Sequence, residues 1–157
     1  VLPEDILIEV FMQRHIPENY MSHENLRLSF YKSLSSAQGE DEINQIQYHL
    51  TNRFGPLPRP VKNLIQECRL RLLAAQVGVL SLRSQGCGLV CKIMQKDSPE
   101  FIASFLEYMG GFFTTQGVDF HLLPKSGTGM LVCIHIPHET DKYTLLSLFF
   151  DKFKALA

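Results

Sequence analysis

His49-Leu-Thr-Asn-Arg-Phe-Gly-Pro-Leu-Pro-Arg-Pro-Val-Lys-Asn-Leu-Ile65 (HLTNRFGPLPRPVKNLI) sets a glycine and three prolines between two stretches of helical periodicity. Gly55 follows Phe54, the last apolar position of the first stretch, in the place where a helix-ending residue takes a positive φ. Pro56 and Pro58 remove backbone donors and push the residues before them toward extended geometry, so the helix cannot continue. Pro60 fits the first position of a new helix, where a missing N–H costs nothing. The stretch therefore predicts a stiff stop and restart between antiparallel helices, with its prolines serving as architecture.

Upstream, Ile43, Ile46, Leu50 and Phe54 mark the helix that stops here, and the polar break Gln38-Gly-Glu-Asp-Glu42 precedes it. Before that break, Leu26, Phe30, Leu34 and Ala37 give another amphipathic helix, with Ser22 in the N-cap position. Ile6 to Val10 alternates like a strand, with Ile6, Ile8 and Val10 on one side. Downstream, Val61, Leu64, Ile65, Cys68, Leu72 and Ala75 form one apolar stripe, and Leu70, Leu73 and Val77 form a second. A helix with two such stripes packs on two sides.

The second half changes character. Val79 to Arg83 and Leu89 to Met94 read as strands around Gly86-Cys-Gly88. Asp97-Ser-Pro-Glu100 starts a helix whose face is Ile102, Phe105, Leu106 and Met109, and Gly110-Gly111 is expected to end it. Phe120 to Leu123 and Met130 to Ile136 read as strands joined by the turn-rich Lys125-Ser-Gly-Thr-Gly129. A last helix from about Asp141 carries Leu145, Leu146, Leu148, Phe149, Phe150 and Phe153. Those side chains cover an arc of about 200°, which suits either a protein partner or burial between the sheet and the three-helix layer. The fold class is α+β: a strand, a three-helix layer, then hairpin–helix–hairpin–helix. Residues 1–157 read as one domain, mainly helical over 1–78 and mixed over 79–157.

With 157 residues, a formal net charge of −1 and 45% hydrophobic residues, the chain has the make-up of a soluble globular domain. Near-neutral charge gives no global reason to expect nucleic acid. No apolar run nears the roughly 20 residues that cross a bilayer, so no membrane partner is expected. The opening VLPEDILIEV has acids where a signal peptide needs bases, and it lacks methionine, as a piece of a longer protein would. Four cysteines make no disulfide framework and fit a reducing, cytoplasmic location.

Chemistry is sparse. Cys87 and Cys91 on one extended strand would lie about 13 Å apart, too far for one tetrahedral zinc. Cys133 and His135 would lie about 7 Å apart on one strand face, the usual place for small core residues. His138 adds no usable spacing, so neither a metal nor any other cofactor is expected in this domain. Lys125-Ser-Gly-Thr-Gly129 lacks the order of a phosphate loop and leads into a strand, so a hairpin turn accounts for it. There is no G-x-S-x-G elbow, and Asp41 and Glu42 sit at a helix start, where the dipole explains them. Arg69 and Arg71, with Arg83, Lys92 and Lys96, could form a local basic surface, which keeps a nucleic-acid-binding module as the alternative.

Ile16-Pro-Glu-Asn-Tyr20, Leu26-Arg-Leu-Ser-Phe-Tyr-Lys-Ser-Leu34 and Arg53-Phe-Gly-Pro-Leu-Pro58, followed by Val61 and Leu64-Ile65, together resemble one family. It is the C-terminal domain of the bacterial transcription-repair coupling factor, Mfd. The resemblance covers roughly residues 4 to 78; Val79 to Ala157 is compatible in length and pattern only. It implies a non-catalytic regulatory domain of an ATP-dependent DNA translocase, which itself uses ATP and magnesium. It also implies docking on that protein's N-terminal UvrB-like module, which masks UvrA recruitment, with RNA polymerase and DNA as partners of the parent. His49, Asn52 and Arg53 are the docking candidates. Family members tend to carry acids where this chain has His49 and Asn52, so the docking contact is expected to be altered here. A second departure is Ser33 after Tyr31-Lys32, where the family commonly has a base.

Overall fold

The junction after Phe54 folds as its glycine and prolines predict. The computed structural model describes residues 5–86, 88–93, 99–124 and 129–156. Helix α2 (Glu40–Phe54) stops at Gly55, whose φ is +94° and whose N–H bonds Thr51 O. Helix α3 (Arg59–Val77) starts one residue earlier than expected, so Pro60 is its second residue. The reason is Pro58, whose carbonyl accepts from both Val61 N and Lys62 N at 3.0 Å.

Helix α3 does pack on two sides. Val61, Leu64, Ile65, Cys68 and Leu72 join Leu34 of α1 (Glu24–Ser36) and Ile43 and Leu50 of α2 in one core. Leu70, Ala74 and Val77 face a second core, built on a sheet and two further helices. The strands are β1 (Leu7–Glu9), β2 (Val79–Gln85), β3 (Gly88–Ile93), β4 (Asp119–Leu122) and β5 (Met130–His135). They form one mixed sheet in the order β1-β2-β3-β5-β4, where β1 alone is parallel to its neighbour. The α+β class stands, and the two expected hairpins fuse because β5 pairs with β3 as well as with β4.

Two expectations need correcting. Gly110-Gly111 does not end its helix: α4 runs from Pro99 to Thr115. Each helical glycine costs roughly 1 kcal/mol relative to alanine, whereas burying a phenylalanine stabilises by about 2–3 kcal/mol. Phe112 and Phe113, just beyond the pair, are 7% and 0% exposed, so their burial decides the outcome. They pack with Tyr108 on Phe149 of α5 (Lys142–Leu156), at centroid distances of 5.2 Å for Tyr108–Phe149 and 4.9 Å for Phe113–Phe149. The second correction concerns Ser22: α1 begins after His23 with no side-chain cap, and Arg27 instead bonds Met21 O at 2.7 Å. Met94 to Ser98, Lys125 to Thr128 and the Ile102 side chain lie outside the described residues.

The wide apolar arc of α5 is covered within the domain. Leu145, Leu146, Phe149, Phe150 and Phe153 are buried, and Leu148 alone of the six is well exposed, at 39%. Asp141 caps this helix, its carboxylate accepting from Thr144 N at 2.9 Å.

A buried carboxylate joins the N-terminal strand to α3. Glu67 is 3% exposed and accepts from Val10 N at 2.8 Å, from Phe11 N at 3.0 Å and from Arg14 Nε. One turn away, Asn63 donates to Gln13 O at 2.8 Å. Replacing Glu67 by alanine strands two backbone donors and one guanidinium, so Glu67→Ala should lose about 3 kcal/mol in urea unfolding. Glu67→Gln, which keeps an acceptor, should lose about half of that. A loss under about 1 kcal/mol for the alanine variant would show that the carboxylate is not what holds this strand. Gly111 has open space where a Cβ would sit, so Gly111→Ala should stabilise by about 0.5–1 kcal/mol, seen as a raised thermal midpoint.

Candidate functional site

The three sequence stretches that carry the family resemblance meet in space. Tyr20 places its hydroxyl 2.8 Å from Gly55 O and 3.1 Å from Leu50 O, donating to the carbonyls that end α2. Its ring lies 5.8 Å from that of Phe54, and Phe30 packs edge-on to the same ring at 6.2 Å. Tyr31 accepts from Ile16 N at 2.6 Å. The stretches thus form one joint that sets how α1, α2 and the segment before them sit together.

That joint presents the outer face of α2. His49, Asn52 and Arg53 are all exposed there, with Gln45 and Tyr48 one turn back. Tyr48 is 65% exposed and lies edge-on to His49 at 5.9 Å, while the Arg53 guanidinium sits 5.2 Å over Phe54. Residues three and four apart on a helix share a face, so these side chains make one continuous ridge of aromatic, amide and cationic groups.

Arg69 and Arg71 are placed differently. Arg69 donates to Asn44 Oδ1 at 2.8 Å and Gln47 Oε1 at 2.9 Å, and pairs with Glu40 at 3.3 Å. Arg71 donates to Leu34 O at 2.6 Å. Both guanidiniums tie α3 to the two helices before it, which draws them away from a phosphate backbone. Arg83 pairs with Glu9 at 3.4 Å, and Lys96 lies outside the described residues. An open cleft of about 510 Å³ includes Glu40, Arg69, Gln76, Tyr143, Ser147 and Asp151 in its lining, and the Ser147 hydroxyl donates to Tyr143 O there.

The cysteines divide by environment. Burial pushes the Cys91 thiol up to about 12, and burial likewise raises Cys68, with Arg71 partly opposing it. Both sit in core clusters and suit packing better than reaction. Cys87 lies outside the described residues. Cys133 is fully buried yet belongs to neither core cluster, because it is on the sheet face turned away from the helices. Across the β4–β5 pairing it stands opposite His121, and His135 is two residues along the same strand face. The donor atoms of His121, Cys133 and His135 lie within 4.8 Å of one another. Spacing along the chain showed only Cys133 and His135; the third member comes from the hairpin register, which depends on a connection that the sequence pattern leaves free.

A mixed sheet joined through one two-faced helix to a three-helix layer defines an α+β domain with two cores. The fold is similar to the crystal structure of the C-terminal domain of transcription-repair coupling factor, with a TM-score of 0.71 and 15% identity over 97% of this chain and 92% of that one. The TRCF domain family model matches residues 10–103, and the chain belongs to that family. The transcription-repair-coupling factor of Escherichia coli K12 is 33% identical over 112 residues, 70% of this chain and 10% of that protein. That of Haemophilus influenzae is 37% identical over 75 residues, 48% of this chain and 6% of that protein. That of Mycobacterium tuberculosis is 32% identical over 88 residues, 56% of this chain and 7% of that protein. The chain spans a tenth or less of the length of these relatives.

If the joint holds the α2 ridge in place, Tyr20→Phe should lose about 1 kcal/mol in urea unfolding, the worth of one buried hydrogen bond. Exchange of the α2 amides around Leu50 and Phe54 should quicken by a matching factor of about five. Unchanged stability and exchange would make the hydroxyl a bystander.

Proposed function

We propose that this domain is the non-catalytic regulatory module of a transcription-repair coupling factor. In this reading it docks on the N-terminal UvrB-like module of the same protein and masks the surface that recruits UvrA. Membership of the TRCF domain family over residues 10–103 carries the proposal. The exposed ridge Tyr48, His49, Asn52 and Arg53 supplies a surface of the right chemistry, because aromatic and arginine side chains dominate protein interfaces. ATP hydrolysis with magnesium, DNA translocation and contact with RNA polymerase then belong to the rest of the longer protein. Its place of work is the cytoplasm, and no helix among the described residues is long and apolar enough to cross a membrane.

Titration calorimetry of the chain against the N-terminal module of its own parent tests the proposal. Saturable one-to-one binding is expected, weakened about tenfold by Tyr48→Ala or Arg53→Glu. Restoring acids with His49→Glu plus Asn52→Glu should tighten binding about fivefold and make it more salt-sensitive. No binding, or binding indifferent to all four substitutions, would count against docking through this ridge. A salt-dependent shift of duplex DNA that is lost in Arg69→Ala plus Arg71→Ala would favour the nucleic-acid alternative instead.

A further inference from the structure

We propose that His121, Cys133 and His135 form a binding site for one zinc-like divalent transition-metal ion on the open face of the sheet. The three side chains come from the two strands β4 and β5, and antiparallel pairing, not flexible loops, sets their positions. His121 and Cys133 are register partners, so their side chains leave the sheet on the same face, and His135 follows two residues later. All three donor atoms lie within 4.8 Å. A tetrahedral zinc with bonds of about 2.0–2.1 Å to nitrogen and about 2.3 Å to sulfur needs N···N near 3.3 Å and N···S near 3.6 Å. The two imidazole nitrogens, now 2.9 Å apart, would have to part by a few tenths of an ångström, and both belong to exposed side chains.

The present contacts already resemble a site holding a proton where a cation would go. His135 Nε2 and His121 Nδ1 are 2.9 Å apart, and their rings lie within 20° of parallel at 4.9 Å. Two imidazole nitrogens at that distance share one proton between two lone pairs. For a metal ion to take both nitrogens, the histidine that donates in this contact shifts its proton to its other ring nitrogen and so frees a second lone pair, while the thiol of Cys133 gives up its proton to solvent as it becomes the third ligand.

Gly88 keeps space open beside these donors. A Cβ there would sit 3.4 Å from both Cys133 Sγ and His135 Nδ1 and 2.8 Å from Ile134 O, and its φ of +137° also favours glycine. The buried thiol therefore has a side-chain-free gap at its flank and two exposed imidazoles over it. Two nitrogens and a thiolate suit zinc, and cobalt as its spectroscopic stand-in, whereas calcium and magnesium require oxygen. The fourth tetrahedral position is left for water. Because β4 is an edge strand whose one strand partner among the described residues is β5, the ion would also clamp the sheet's edge.

The experiment uses the whole chain, washed with chelator and titrated with zinc chloride, with metal content measured after gel filtration. One zinc per chain is expected, together with a higher thermal midpoint. Cobalt should give a thiolate charge-transfer band that Cys133→Ser abolishes. Since Cys133 is buried and its variant can fail to fold, the exposed histidines decide the matter. His121→Gln and His135→Gln should each weaken zinc binding by more than about tenfold, the lower limit for losing even an outer-shell partner. The double variant should lose stoichiometric binding and the thermal shift, with an unchanged far-ultraviolet circular dichroism spectrum. His138→Gln, outside the cluster, should behave like the parent chain. Zinc well below one equivalent, or binding that survives the double histidine substitution, overturns the proposal.

Discussion

The Glu67 carboxylate is nearly sealed from water, and a carboxylate in that position destabilises a fold unless donors surround it. Here the donors are the backbone N–H groups of Val10 and Phe11 and the side chain of Arg14. They come from the segment just after β1, so neutralising one charge on α3 also fixes where the N-terminal strand must run. With that segment held, β1 lies parallel to β2, with Ile8 opposite Leu82. A three-residue strand has few ladder bonds of its own to hold it there. Its placement depends on the tether more than on strand pairing. The same tether brings Ile16 and Tyr20 to the helical layer, where they complete the joint with Tyr31, Phe54 and Gly55.

Helix α3 transmits that constraint because two of its faces are committed to separate cores. One side contributes to the core shared with α1 and α2, and the other to the core shared with the sheet, α4 and α5. Arg69 and Arg71 close the flank between α3 and the two helices before it through four contacts of 2.6–3.3 Å, to Glu40, Asn44, Gln47 and Leu34 O. These arginines are long enough to bury their stems while their guanidiniums find carbonyl and amide oxygens. A basic residue on a helix face can be structural, and its partners, not its charge, show which role it has.

Period and punctuation made the helical half legible. Gly55 and the proline run marked the α2–α3 junction to within a residue, and the two stripes of α3 anticipated its two cores, except that Ala75, read with the first stripe, packs against the second core. The helix through Gly110-Gly111 was not legible, because the aromatic cluster that outweighs two glycines includes Phe149 and Phe153 from another helix. Local propensity cannot register a partner about 40 residues away. The docking candidates His49, Asn52 and Arg53 could be placed on an outer helix face by period alone. The roles of Glu67, Arg69 and Arg71 could not, since each depends on a partner more than 20 residues distant.

The His121, Cys133 and His135 cluster was hidden for a related reason. Along the chain, Cys133 and His135 look like one strand face of an edge hairpin, and nothing nearby in sequence supplies a third ligand. Pairing of Leu122 with Val132 sets the register, and a slip of one residue would turn His121 to the opposite face. The cluster also lies beyond residues 10–103, where the family model matches, so family membership says nothing for or against it. The two surfaces rest on different cores: the α2 ridge on the core of α1, α2 and α3, the cluster on the far side of the sheet. A ligand at the edge of the sheet could therefore stiffen β4 and β5 without altering the α2 ridge, unless it also displaced α3, the one element common to both.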